Sequence, residues 1–165
     1  MLARNVLCLL PQGRLFPSVC CAELSNANGK TIGKFPTEGY LINAFWRSDN
    51  KYVAVNNRRA NAGDYLWVLN LSSSQAVKMP DDSDKAADAV IDQIAKKFPE
   101  VRSFSYDFLK MWTKALGWNS AGELIAQTKL TFDKVNELYV IVDTYKIDKE
   151  QLVLLRSTIE TTKLD

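Results

Sequence analysis

The stretch from Ala44 to Leu71 is repeated in outline from Ala115 to Tyr145, and this internal echo constrains the fold more than any other feature of the chain. Laid over each other, Trp46, Ser48, Tyr52, Val53 and Ala54 fall on Trp118, Ser120, Leu124, Ile125 and Ala126. The runs LWVLN and YVIVD that follow also align once a single extra residue is allowed in the second loop. Each copy reads as apolar strands around a polar turn. The expected class is α+β, mainly antiparallel β-sheet built from two related hairpin units with one amphipathic helix between them.

The helix is expected at about 83–97. Ala87, Val90, Ile91, Ile94 and Phe98 repeat at helical spacing, giving one apolar stripe. Asp82 or Ser83 can cap the first amides, Lys96 and Lys97 complement the last turn, and Pro99 forbids extension. Asp84, Asp88 and Asp92 line the opposite face at four-residue spacing. They lack the glycine and terminal glutamate of a calcium loop, so they read as a solvated acidic face rather than a metal site.

The remaining segments read less sharply. Asn26-Ala27-Asn28-Gly29 is a hairpin turn signal, with a return strand from Lys30 to Phe35 stopped by Pro36. Gly29-Lys30-Thr31 looks like the end of a phosphate loop, but the required first glycine would fall at Leu24. A β region begins at Gly39–Phe45, and Tyr65–Leu71, apolar on successive residues, reads as a central strand buried on both faces. Ser103–Gly117 fits a strand or a helix, with the alternation of Phe104, Tyr106 and Phe108 favouring strand. A last strand is expected over Gln151–Ile159, followed by a frayed tail from Glu160. Trp46, Trp67 and Trp118 read as core anchors and Trp112 as the exposed one.

Composition narrows the chemistry. At 165 residues and 47% apolar content, residues 23–165 suffice for one globular domain. The formal charge of +2 resides in Arg4 and Arg14, so the body is neutral and offers no electrostatic argument for nucleic acid or anionic lipid. Cys8, Cys20 and Cys21 all lie in residues 1–22, and histidine is absent from the chain. No metal or cofactor is expected, and any chemistry falls to carboxylates, hydroxyls, lysines and arginines. Residues 1–22 combine Arg4, an apolar patch Val6–Leu10 and small residues at Ser18, Cys20 and Ala22, interrupted by Pro11-Gln12-Gly13-Arg14. Two readings stay open: a cleaved signal peptide, making the protein periplasmic or secreted, or a disordered leader on a cytoplasmic protein. No apolar run approaches the roughly 20 residues of a membrane span, and Asn70-Leu71-Ser72 is a glycosylation sequon that matters only in a secreted eukaryotic chain.

Trp46-Arg47-Ser48-Asp49-Asn50-Lys51-Tyr52-Val53-Ala54-Val55 resembles the W-S-P-D-G-K-x-h-A-h run of WD-like, TolB-type β-propeller repeats, where h is apolar. Gly63–Leu71 resembles the next strand of such a blade, and Trp118–Ala126 is a fainter copy. The first copy lacks the proline and glycine of the pattern, and the second lacks the aspartate. A propeller closes with about four to eight blades of roughly 40 to 45 residues each, so two units cannot close a ring. The resemblance implies either an open or sandwich-like sheet covered by the helix or a larger structure completed by several chains. Functionally it implies a scaffold for binding.

The candidate contact segment is the polar connection Asn56, Asn57, Arg58, Arg59, Asn61 and Asp64, rich in donors and held by apolar strands. It reads either as a grip for a carboxylate, a phosphate or a protein, or as a hairpin loop in which Arg58 or Arg59 pairs with Asp64. The expected function is a non-enzymatic binding or inhibitor-like module with a protein partner. An assembly subunit that forms homo-oligomers through sheet edges is the alternative, and a carboxylate-dependent hydrolase the second alternative.

Overall fold

The computed structural model describes residues 5–9, 20–25, 31–37, 41–59, 63–73, 75–79, 85–97, 109–132 and 135–164. The chain is α+β and mainly antiparallel sheet, and it divides into two compact units, residues 1–77 and 78–165.

In the first unit, β1 (Asn5–Leu9), β2 (Cys20–Ser25) and β3 (Thr31–Thr37) form a three-stranded antiparallel sheet. Parts of the leader are therefore strand. The turn expected at Asn26–Gly29 lies outside the described residues. The return strand runs through Pro36 instead of stopping there, with Pro36 opposite Cys21. The physical reason is position: β3 is an edge strand, where a missing N–H need not interrupt the ladder.

A second sheet of this unit orders β4 (Leu41–Trp46), β5 (Tyr52–Arg59), β6 (Gly63–Asn70) and β7 (Gln75–Ala76) as a meander. In β5 the consecutive residues Val53, Ala54, Val55 and Asn56 are all buried, so both faces of the strand are covered there. β6 follows suit at Val68 and Leu69. Val53, Val55 and Leu69 form one core cluster, against which Trp46 and Trp67 pack half-buried.

The second unit orders β8 (Leu109–Trp118), β9 (Leu124–Phe132), β10 (Val135–Asp148) and β11 (Gln151–Lys163) as another antiparallel meander, preceded in the chain by helix α1 (Lys85–Lys97). Leu109–Gly117 thus resolve to strand. The apolar stripe of α1 delivers Ala87, Val90 and Ile94 onto Leu130, Phe132, Val135, Tyr139 and Ile141, with Ile91 at the margin. Phe98 and Asp84 lie outside the described residues, as does the cap, while Asp88 and Asp92 are exposed. β9 alternates buried and half-buried positions along its whole length, which is the period of a sheet with one fully covered face.

β11 does not fray after Ile159. It continues to Lys163, paired with β10 as far as Glu137. Its polar sequence is no obstacle because the ladder satisfies backbone groups whatever the side chains are. A bulge where Thr144 faces Arg156 and Tyr145 faces Leu154 leaves Leu155 as the extra residue.

The echo in the sequence has a structural counterpart at the first turn of each meander. Asn50 N bonds to Arg47 O at 2.9 Å, and Gly122 N bonds to Asn119 O at 3.0 Å. The last residue of each turn has positive φ, 62° at Asn50 and 76° at Gly122, the conformation that asparagine and glycine tolerate best. The later strands keep face but not register. Ala54 is opposite Val68, whereas Ala126 is opposite Asp143 rather than Ile141, the residue aligned with Val68. A slip of two leaves every side chain on its own face.

Candidate functional site

The polar connection nominated by the sequence is shorter than its composition suggests. Asn56, Asn57, Arg58 and Arg59 belong to β5, Asp64 belongs to β6, and Asn61 lies outside the described residues. Arg58 is directly opposite Asp64, and Asn57 is opposite Tyr65. Asn56 is only 6% exposed, so it is a core position of the strand rather than a loop donor. Polar composition suggested a loop, but cross-strand pairing carries the ladder to Arg59 and Gly63.

The turns at the other end of the strands are strongly organised. Arg47 Nε donates to Asp49 Oδ1 at 2.9 Å, and its second guanidinium contact is to Asp49 Oδ2. Asp49 Oδ1 also accepts from Lys51 N at 3.0 Å, while the Arg47 guanidinium lies 4.2 Å from the centroid of the Tyr52 ring. The Arg47 hydrogen bond, reinforced by the Lys51 amide, brings the Asp49 carboxyl down to about 2. In the second unit Asn119 does the equivalent work without charge: its Oδ1 accepts from Ala121 N at 3.0 Å and Glu123 N at 2.9 Å. Both devices satisfy turn amides locally, as short polar side chains do in tight turns.

A polar row crosses the interior of the second sheet. Asp143, 4% exposed, accepts Tyr145 Oη–H at 3.1 Å on one oxygen and Ser157 Oγ–H on the other. Ala126 is opposite Asp143 in β9, and Ala115 is opposite Ala126 in β8, so the row has small neighbours. Two residues along β8 and β9, the Thr113 and Thr128 hydroxyls bond at 2.9 Å, and on the other face Arg156 Nε donates to Thr144 Oγ1 at 3.1 Å. The partners on the Asp143 carboxylate are two hydroxyls, which compensate its removal from water. Asp143 aligns with Asn70 of the first copy, whose Oδ1 instead accepts Ser72 N at 2.9 Å. One sequence position thus serves a buried network in one unit and a turn in the other.

Glu137 accepts Tyr139 Oη–H and pairs with Lys97 Nζ at 3.3 Å, clipping the end of α1 to β10. Burial, and then the Glu137 contact, push the Tyr139 phenol up to about 12. The Tyr139 hydrogen bond, aided by Lys97, lowers the Glu137 carboxyl. Phe132 meets Tyr139 edge-on at 6.0 Å between ring centroids.

Among the described residues, β11 presents a long exposed run. It is the outer strand of its sheet, and every residue from Leu155 to Lys163 is exposed. Leu155 and Ile159 are 44% and 49% exposed. Among the described residues, the outer side of β11 is bridged at the start, by the isolated pairing of Lys78 with Gln151. Sequence reasoning missed this surface because nothing in an isolated polar strand says whether it ends up inside or at the edge of a sheet.

Among the described residues no three His, Cys, Asp or Glu side chains converge as a metal site would require, and no helix is long and apolar enough to cross a membrane. No protein-family model matches the chain, and no curated protein or solved structure is significantly similar to it. Among the described residues, fold and site define an α+β protein of three antiparallel sheets, two of them four-stranded meanders, with a buried polar network in the second unit and an exposed edge strand at β11.

Proposed function

We propose that the protein is a non-enzymatic binding module that takes up a protein partner by strand addition along β11. The observation that carries this reading is the run of exposed residues from Leu155 to Lys163 on an outer strand, including the apolar Leu155 and Ile159. An unpaired strand edge offers main-chain donors and acceptors to an extended segment of another chain, and exposed apolar residues add contact area. Asp143, the buried carboxylate a hydrolase reading would turn to, is held by Tyr145 and Ser157, a pattern that favours a structural role over proton transfer. The β5–β6 end with Arg58 and Arg59 is the competing contact surface.

Placing a photo-cross-linking amino acid at Ile159, at Arg58 or at the exposed Gln93 of α1, followed by irradiation in an extract of the native source, tests this assignment. The expected outcome is a discrete protein adduct from position 159 and none from position 93. An adduct from position 58 alone would move the site to the β5–β6 end, and no adduct from either would refute the binding reading. Export belongs to the same reading if residues 1–22 prove to be absent from the native protein.

A further inference from the structure

Building on the reading of β11 as a docking edge, we propose that its partner is β11 of a second copy, paired antiparallel about a two-fold axis through Thr158. The argument begins with which backbone groups face outward. Leu164 N bonds to Asn136 O at 3.1 Å, one place beyond the opposed pair Glu137 and Lys163. Hydrogen-bonded and non-hydrogen-bonded pairs alternate along an antiparallel ladder. Thr162, Glu160, Thr158 and Arg156 are therefore bonded to β10, while Ser157, Ile159 and Thr161 turn their N–H and C=O groups away from it. Among the described residues no strand lies beyond them.

A second strand can bond to this edge only if its own outward residues meet Ser157, Ile159 or Thr161. For a second copy of β11 that condition restricts the register, and charge then selects among the registers left. A two-fold through Arg156 would set Arg156 against Arg156, and one through Glu160 would set Glu160 against Glu160. Axes through Ser157 or Ile159 leave both charges opposite neutral residues. The axis through Thr158 sets Arg156 opposite Glu160 of the second copy, and the symmetry repeats that contact. It also lets Ser157 exchange both backbone bonds with Ile159 of the second copy and brings the exposed Ile159 residues onto diagonal positions of one face.

The bulge at Leu155 bounds the regular ladder at Arg156, so the pairing spans Arg156 to Glu160 on each strand. Leu155, 44% exposed, would then face Thr161 of the second copy. Arg156 already donates Nε to Thr144, and the guanidinium has five donors in all, so its contact with β10 is compatible with a carboxylate across the axis. The interface is isologous, as a two-fold pair requires, and it joins two four-stranded sheets into one continuous sheet.

The test is sedimentation of the wild-type chain over a range of concentrations, alongside Arg156→Glu, Glu160→Arg and an equimolar mixture of these two variants. The wild type should form a dimer in a concentration-dependent way. Each variant alone sets like charges against each other at both symmetric contacts and should self-associate about tenfold more weakly. In the mixture both contacts become Glu–Arg pairs, so heterodimers should recover wild-type affinity, which also shows that the variants are folded. A wild type that stays monomeric, variants that dimerise like the wild type, or a mixture no tighter than its components would each overturn the proposal. The cross-linking at Ile159 separates this failure from that of the docking reading: a monomeric chain whose adduct contains a different protein loses the self-pairing and keeps the edge as the site.

Discussion

Replacement of Ile94 by alanine tests the packing of α1 on its sheet. Ile94 is 1% exposed and belongs to the cluster with Leu130, Phe132, Val135, Tyr139 and Ile141. Removing its outer carbons forfeits about 0.8 kcal/mol for each buried methylene, roughly 2.4 kcal/mol for the truncation. Incomplete collapse of the space left behind adds on the order of 1 kcal/mol. The better helix propensity of alanine returns about 0.4 kcal/mol. The expected loss is therefore about 3 kcal/mol, inside the range of roughly 2 to 5 kcal/mol for such buried sites. Ile91, at the margin of the cluster, should lose about 1 kcal/mol when truncated, and the exposed Gln93 no more than about 0.5 kcal/mol. Because the chain has two compact units, the suitable assay is amide hydrogen exchange of β9 and β10 in each variant, which reads the opening of this unit alone. An Ile94→Ala variant indistinguishable from Gln93→Ala would refute the docking of α1 on β9 and β10.

Other consequences follow from the turns and the titrating groups. Gly122→Val should cost about 1–2 kcal/mol, because φ is 76° there, whereas Asn50→Gly at 62° should change stability by less than about 0.5 kcal/mol; thermal unfolding of the two variants checks the contrast. Asp49 has a folded pKa of about 2, below its ordinary 3.8, so its stabilisation is present above pH 4 and lost as the pH falls towards 2. At 36% side-chain exposure solvent screens the pair, and the contribution should be about 1 kcal/mol or less. Acid titrations of stability for wild type and Asp49→Asn should run parallel above pH 4 and differ in slope as the pH falls from 4 towards 2. Tyr139 has the opposite sign: raised to about 12, it contributes stability that is complete below pH 10 and lost as the pH rises through 12. Tyr139→Phe should flatten the alkaline limb, and an unchanged limb would show that another group controls it.

Helix α1 was legible because one face repeats every three to four residues and the burial of Ala87, Val90 and Ile94 needs only that face to find a sheet. The duplicated turn was legible for a local reason too, since positive φ at Asn50 and Gly122 is a demand that neighbouring residues alone impose. The candidate segment at Asn56–Asp64 was read from its polarity, and polarity does not stop a strand that has a partner. Arg58 sits in β5 because Asp64 is opposite it, a pairing set by β6 rather than by the arginine's own neighbours.

The amino-acid sequence by itself determined the alternation of apolar strands, the helix between two related meanders and the tight turns, because each is written in a period or a backbone preference a few residues long. Only the tertiary structure decided that Asp143 lies buried against Tyr145 and Ser157 while its counterpart Asn70 serves a turn, and that β11 runs to Lys163 as an exposed edge. Burial and edge position depend on what packs beside a strand, and that neighbour is supplied by residues far away in the chain.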